Sequence, residues 1–222
     1  MTNVPALAPN TPASRSVRRP AAPPGPATAN EPTTTNEPAT ANVRTAVHRA
    51  GGSRTPDLPP VRRIRPSDAA RMRALRLEML ADSPLAFLET IADAAARPHA
   101  EFAARVARTS TGDGSAQFVA DAGCRLVGHA GGQAAPGQPD ASVLFAVYLT
   151  PAWRGSGLLA ALVAGVAAWS RAAGRPELLL EVVVGNDRAV RAYERLGFAD
   201  TGVRVPHPTV PTLRELQMRR AA

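Results

Sequence analysis

Hydrophobic positions recur along this chain with a period that changes several times, and each change marks an element. Over residues 1–60 there is no period: Met1, Val4, Leu7, Val17, Val43, Val47 and Leu58 are the only large apolar side chains, and twelve prolines lie among them. So little apolar surface cannot offset the entropy of ordering the segment. Residues 1–60 are therefore expected to form a disordered Pro/Ala/Thr-rich tail, and residues 61–222 a single domain. Residues 61–65 alternate weakly and stop at Pro66, the pattern of a first strand. Ser67 then offers an N-cap, and Met72, Leu75, Met79 and Leu80 recur on one helical face. Residues 82–87 break that helix. A second is expected over residues 98–108, with Phe102 and Val106 inward.

The period then becomes two. Residues 117–121, 125–131 and 142–149 read as consecutive strands, separated by glycine-bearing turns at 121–123 and 131–139. Residues 158–173 form a helix that is apolar nearly all round and stops at Gly174 and Pro176. A buried strand follows over 178–184, interrupted by Glu181. Asn186 caps a helix reaching Leu196, and strands over 199–205 and 213–219 close the chain. This order predicts an α+β domain: a mixed, mostly antiparallel sheet with a central βαβ step and flanking helices. The crossover helix of such a step starts at the carboxyl edge of the sheet, where anions bind.

Composition narrows the chemistry. Cys124 is the sole cysteine, which excludes an internal disulfide framework and a cysteine-rich zinc site, and the four histidines show no metal-ligand spacing. Residues 1–60 lack the apolar core of a secretory signal. The longest uncharged apolar run, residues 158–169, is shorter than the roughly 20 residues that cross a bilayer. A cytoplasmic protein with no membrane partner is the expectation. The 26 basic residues are all arginine and outnumber 18 acidic ones, a formal charge of +8. They are spread singly without interleaved aromatics, which argues against nucleic acid, while the excess suits a polyanionic ligand.

The segment after the third of those strands carries the candidate chemistry. Thr150-Pro151-Ala152-Trp153-Arg154-Gly155-Ser156-Gly157 leads from strand to crossover helix, and two glycines there let backbone N–H groups approach an anion while the helix end and Arg154 add positive charge. Further on, Asn186, Ala189, Tyr193, Leu196, Gly197 and Phe198 follow the spacing N-x-x-A-x-x-x-Y-x-x-L-G-F. Together these two segments resemble the GNAT superfamily of N-acetyltransferases, specifically over residues 143–198 and in element order over 61–222.

The resemblance implies a GNAT fold that binds acetyl-CoA as cosubstrate, without a metal, and transfers its acetyl group directly to an amine on a small molecule or peptide. It implies that Val147, Tyr148 and Leu149 bind the pantetheine arm, chiefly through backbone groups. Arg154, Gly155, Ser156, Gly157, Leu158 and Leu159 would hold the pyrophosphate, and Asn186 would contact the arm or cap its helix. Leu159 departs from the small residue usual at the end of that turn. Tyr193 matches the tyrosine near the cofactor sulfur and would protonate the departing thiolate.

Glu181 stands out on its own account. A carboxylate amid Leu178-Leu179-Leu180 and Val182-Val183-Val184 is costly unless paired or at work, and desolvation there raises its pKa toward that of a general base. Its L-E-V-x-x-x-N setting is similar to that of the N-terminal alanine acetyltransferases of ribosomal proteins. The strand position where other members carry a glutamate base is Val143 here. Two alternatives stay open, a longer or dicarboxylic acyl-CoA donor and a catalytically silent CoA-binding or regulatory module, and a homodimer is allowed as the assembly. The resemblance implies that the acceptor meets the loop between the first two helices, residues 81–97, and the loop before the last strand, residues 204–212; these carry Asp82, Glu89, Asp93 and His207, enough acid to attract a cationic amine but no specificity motif.

Overall fold

The computed structural model describes residues 57–222, so the expected tail falls, over residues 1–56, outside the described residues. The strands are β1 (Val61–Arg63), β2 (Ser115–Asp121), β3 (Leu126–Ala134), β4 (Ala141–Leu149), β5 (Glu177–Val183), β6 (Ala199–Pro206) and β7 (Arg214–Ala221). The helices are α1 (Ala69–Asp82), α2 (Ile91–Ala96), α3 (His99–Ser110), α4 (Leu158–Ala172) and α5 (Asp187–Glu194). One seven-stranded sheet runs in the order β1-β2-β3-β4-β5-β7-β6, with β4 and β5 parallel and every other neighbour antiparallel.

Strand alternation assigns the two faces of the sheet. Leu178, Leu180 and Val182 of β5 are buried with Leu162, Val163 and Val166 of α4, so Glu181 and Val183 look the other way. On that opposite face Met72, Leu75 and Met79 of α1 and Val106 of α3 pack with Val119 and Leu126. Each fully buried Leu or Val side chain contributes about 1.5–3 kcal/mol.

Three local readings are corrected. Residues 131–134 continue β3 instead of turning, because glycine there admits close packing: a Cβ at Gly132 would stand 2.8 Å from both the Trp169 ring and Val166 of α4. Asp68, not Ser67, stands at the N-cap of the first helix, and its side chain bonds no N–H of that helix. Asp68 is fully buried, accepts the Arg65 N–H at 2.8 Å and both guanidinium nitrogens of Arg62 at 2.7 and 2.9 Å, and pairs with Arg71. Finally α2 lies inside the expected loop. Its six residues are too few for a period to show, and Thr90 starts it by accepting the Asp93 N–H at 3.1 Å.

Candidate active site

A bulge in β4 opens the sheet. His129 stands opposite Tyr148 and Gly131 opposite Phe145, so Ala146 and Val147 share the single partner Ala130. Ala146 takes φ 48°, a left-handed conformation unusual for a residue with a Cβ, and the extra residue bends the strand. Parallel pairing with β5 accordingly ends at Val143 and Leu179. Beyond it the strands diverge around a cleft of about 650 Å³, bounded by residues 144–147 and 180–184. Val143, apolar and in this last pair, leaves the next acid along the cleft to β5.

At one end the cleft continues into a channel of about 500 Å³ beside the start of α4, where Val147, Leu149, Gly155, Gly157 and Leu159 form one wall and Asn186 and Tyr193 the other. Thr150 N–H donates to Val127 at 3.0 Å, so alternation turns the Val147 and Leu149 backbone groups to the opened edge. Gly155 and Gly157 have φ 78° and 94°, and a Cβ on Gly155 would meet nothing within 4 Å. Among the described residues, the N–H groups of Gly155, Gly157 and Leu159 donate to no protein acceptor. Free amides in a left-handed turn at a helix start, with open space before them, fit a diphosphate.

Not every residue expected in this turn faces the channel. Leu158 is fully buried in the core, and the Ser156 hydroxyl donates to Trp153 at 2.7 Å while accepting the Leu158 N–H, so both serve the helix start. The Arg154 guanidinium pairs with Asp82 and reaches the Leu149 carbonyl at 3.2 Å, which neutralises the charge expected to meet the ligand. Arg188 of α5 and Arg195, the residue that ends it, line the channel instead, and neither forms an ion pair among the described residues. Their helical spacing is legible in the sequence, but which wall they face is not. Asn186 caps α5 by accepting the Ala189 N–H at 3.2 Å and borders the cleft.

Tyr193 lies where channel and cleft meet, edge-on to Phe198 at 5.7 Å, and burial pushes its phenol well above the ordinary value. At the other end, a cavity of about 360 Å³ is bordered by Phe87, Phe102, Phe145, His129, Glu181 and Glu215. Glu181 still reaches water, yet the cleft walls desolvate it enough to raise its pKa. Glu215, absent from the sequence reading, stands opposite Val183 in the β5–β7 ladder, diagonal to Glu181 on the same face. Desolvation first, and then the Glu181 charge, raise its pKa; His207, with Nε2 at 3.9 Å, opposes them. In sequence Glu215 was only a polar position of an alternating strand. The acids expected from the loop are otherwise engaged: Asp82 with Arg154, Glu89 with Arg76 and Arg97, and Asp93 with Thr90.

Residues 78–198 match the acetyltransferase (GNAT) family. Aminoglycoside N(6')-acetyltransferase type 1 of Stenotrophomonas maltophilia is 35% identical over 146 residues, 64% of this chain and 88% of that protein. A GNAT-family acetyltransferase from Streptococcus pneumoniae superposes with a TM-score of 0.62 at 18% identity, over 73% of this chain and 98% of that one. A phosphinothricin acetyltransferase from Sinorhizobium meliloti, solved in complex with acetyl-CoA, gives 0.60 at 20% identity over 74% and 88%. At these identities the two structures speak to the fold.

Proposed function

The chain belongs to the GNAT family of acetyltransferases, and from that premise we propose that it moves the acetyl group of acetyl-CoA directly to a cationic amine held beside Glu181 and Glu215. One observation carries this reading: the diverging strands join an anion cradle at one end to a pair of neighbouring carboxylates at the other, with Tyr193 between.

Acetyl-CoA supplies an activated thioester carbonyl. The amides of Gly155, Gly157 and Leu159 hold its diphosphate, Arg188 and Arg195 add charge, and the exposed edge of Val147 and Leu149 receives the arm as an added strand. Glu181, directly or through water, takes the proton an ammonium must lose before its nitrogen attacks the thioester. As the carbon–sulfur bond breaks, Tyr193 donates to the thiolate. Its raised pKa keeps the phenol protonated throughout the working range. The products are the amide and the free thiol: the second proton, which the nitrogen sheds on becoming an amide, restores the Tyr193 phenol, and the proton taken by Glu181 returns to solvent.

An acceptor with several ammonium groups suits two carboxylates better than a monoamine does, and an aminoglycoside, the substrate class in the relative's name, is of that kind. No helix among the described residues is long and apolar enough to cross a membrane; acetyl-CoA as donor supports a reaction in the cytoplasm. The test pairs calorimetry with free-thiol release over aminoglycosides, polyamines and peptide N-termini. Acetyl-CoA binding and turnover of a polycationic amine are expected. Absence of acetyl-CoA binding overturns the donor, and binding without turnover of any amine favours a silent module.

A further inference from the structure

The bulge in β4 is held from outside its own strand. Ala146 sits in a conformation that residues with a Cβ seldom adopt, at the slip where it and Val147 share one partner across the β3–β4 ladder. Left alone, such a residue relaxes toward an ordinary strand conformation, which would let β4 pair with β5 past Val143 and narrow the cleft. What meets the Ala146 oxygen is a side chain of the neighbouring strand: His129 Nδ1, at 2.7 Å.

A carbonyl oxygen only accepts, so Nδ1 must carry the proton. His129 is 2% exposed, and its Nε2 is buried without a partner among the described residues. Burial first, with the Arg76 charge adding to it, lowers the imidazole pKa to about 4, so at neutral pH the ring is uncharged and has a single N–H. Arg76 from α1, Arg105 from α3, Glu181 from β5 and Glu215 from β7 are the ionisable groups that share its cavity. A bare buried nitrogen is unfavourable compared with an apolar side chain of the same volume, so what the ring returns to the structure comes through the Nδ1 bond.

We propose that His129 is a positioning residue for acyl transfer: its Nδ1–H holds the Ala146 carbonyl, fixes the bulge, and so keeps open the cleft in which thioester and amine meet. Ala146 borders both the cleft and the acceptor cavity, and Val147 begins the opened edge that receives the donor's arm, so this one bond sets the backbone geometry on both sides of the reacting atoms. The inference rests on the proposed function for its catalytic consequence, but the hydrogen bond itself can be tested without any ligand.

Nitrogen NMR of ¹⁵N-histidine-labelled protein at neutral pH reads the tautomer. His129 is expected neutral with the proton on Nδ1, and a proton on Nε2 overturns the proposal. Two variants then separate positioning from packing. His129→Leu fills the space without a donor, whereas His129→Asn places an amide N–H near the position of Nδ1. His129→Leu is expected to weaken acetyl-CoA binding by at least tenfold in calorimetry and to lower kcat, with a melting temperature at or above that of the wild type. His129→Asn is expected to recover most of both losses. Wild-type binding and kcat in His129→Leu, or equal impairment of the two variants, refutes the role. If His129→Leu fails to fold, the tautomer and His129→Asn decide. Failure of the wild-type protein to bind acetyl-CoA counts against the proposed function instead, and leaves the NMR result to decide this inference.

Discussion

Two carboxylates on one sheet face divide the work at the reacting end by their surroundings. Glu181 is raised by desolvation, and Glu215 by desolvation and by Glu181. A base works in its ionised form, so kcat/KM is expected to fall as pH drops through the raised Glu181 value and to lose that acidic limb in Glu181→Gln. The Glu181 value is set by desolvation, so Glu215→Gln should leave the limb near its wild-type position while raising the KM for a polycationic amine. Glu181→Gln and Tyr193→Phe are near-isosteric and should each lower kcat by about 10²- to 10⁴-fold with acetyl-CoA affinity nearly unchanged. Turnover at the wild-type rate in both variants would leave proton transfer to water or to the substrate.

Elements are joined by charge at two places with different purposes. Where β1, α1 and β2 meet, Asp68 is held well below the ordinary carboxylate range, chiefly by Arg62, and Arg62 also donates to Asp121 at 3.0 Å. Because the folded pKa is depressed, this contribution is complete above the unfolded value of 3.8 and is lost as pH falls below it toward the folded pKa. Asp68→Asn is expected to cost about 3 kcal/mol in urea unfolding near pH 7, and the gap from wild type should close as the solution is acidified below pH 4. Along α5, by contrast, Arg188 and the C-cap residue Arg195 lie seven residues apart, about 10 Å of helix, and face the channel without an ion-pair partner among the described residues. Arg188→Glu or Arg195→Glu should weaken acetyl-CoA binding about tenfold at low salt, and less as salt screens the charges. Arg191→Glu, on the same helix but outside the channel wall, is the control.

At the scale of the molecule, every core cluster among the described residues is built from residues 61–222, with buried Pro59 and the Pro60 carbonyl, which accepts the Asp121 N–H at 3.0 Å, just ahead of β1. A chain cut to residues 57–222 is therefore expected to keep a cooperative melt and acetyl-CoA affinity. Loss of either would show that the fold needs residues 1–56.

The element order apart from α2, the βαβ step, the glycine turn before α4 and the anomalous Glu181 were all legible in the sequence, because periodicity, capping and a charge amid apolar neighbours are properties of short segments. The bulge at Ala146, the pairing of Arg154 with Asp82, the placing of Glu215 diagonal to Glu181 and the channel-facing Arg188 and Arg195 were not. Each depends on which distant segments meet and in what register, and a shift of one residue between two strands would turn the same side chains to the opposite face.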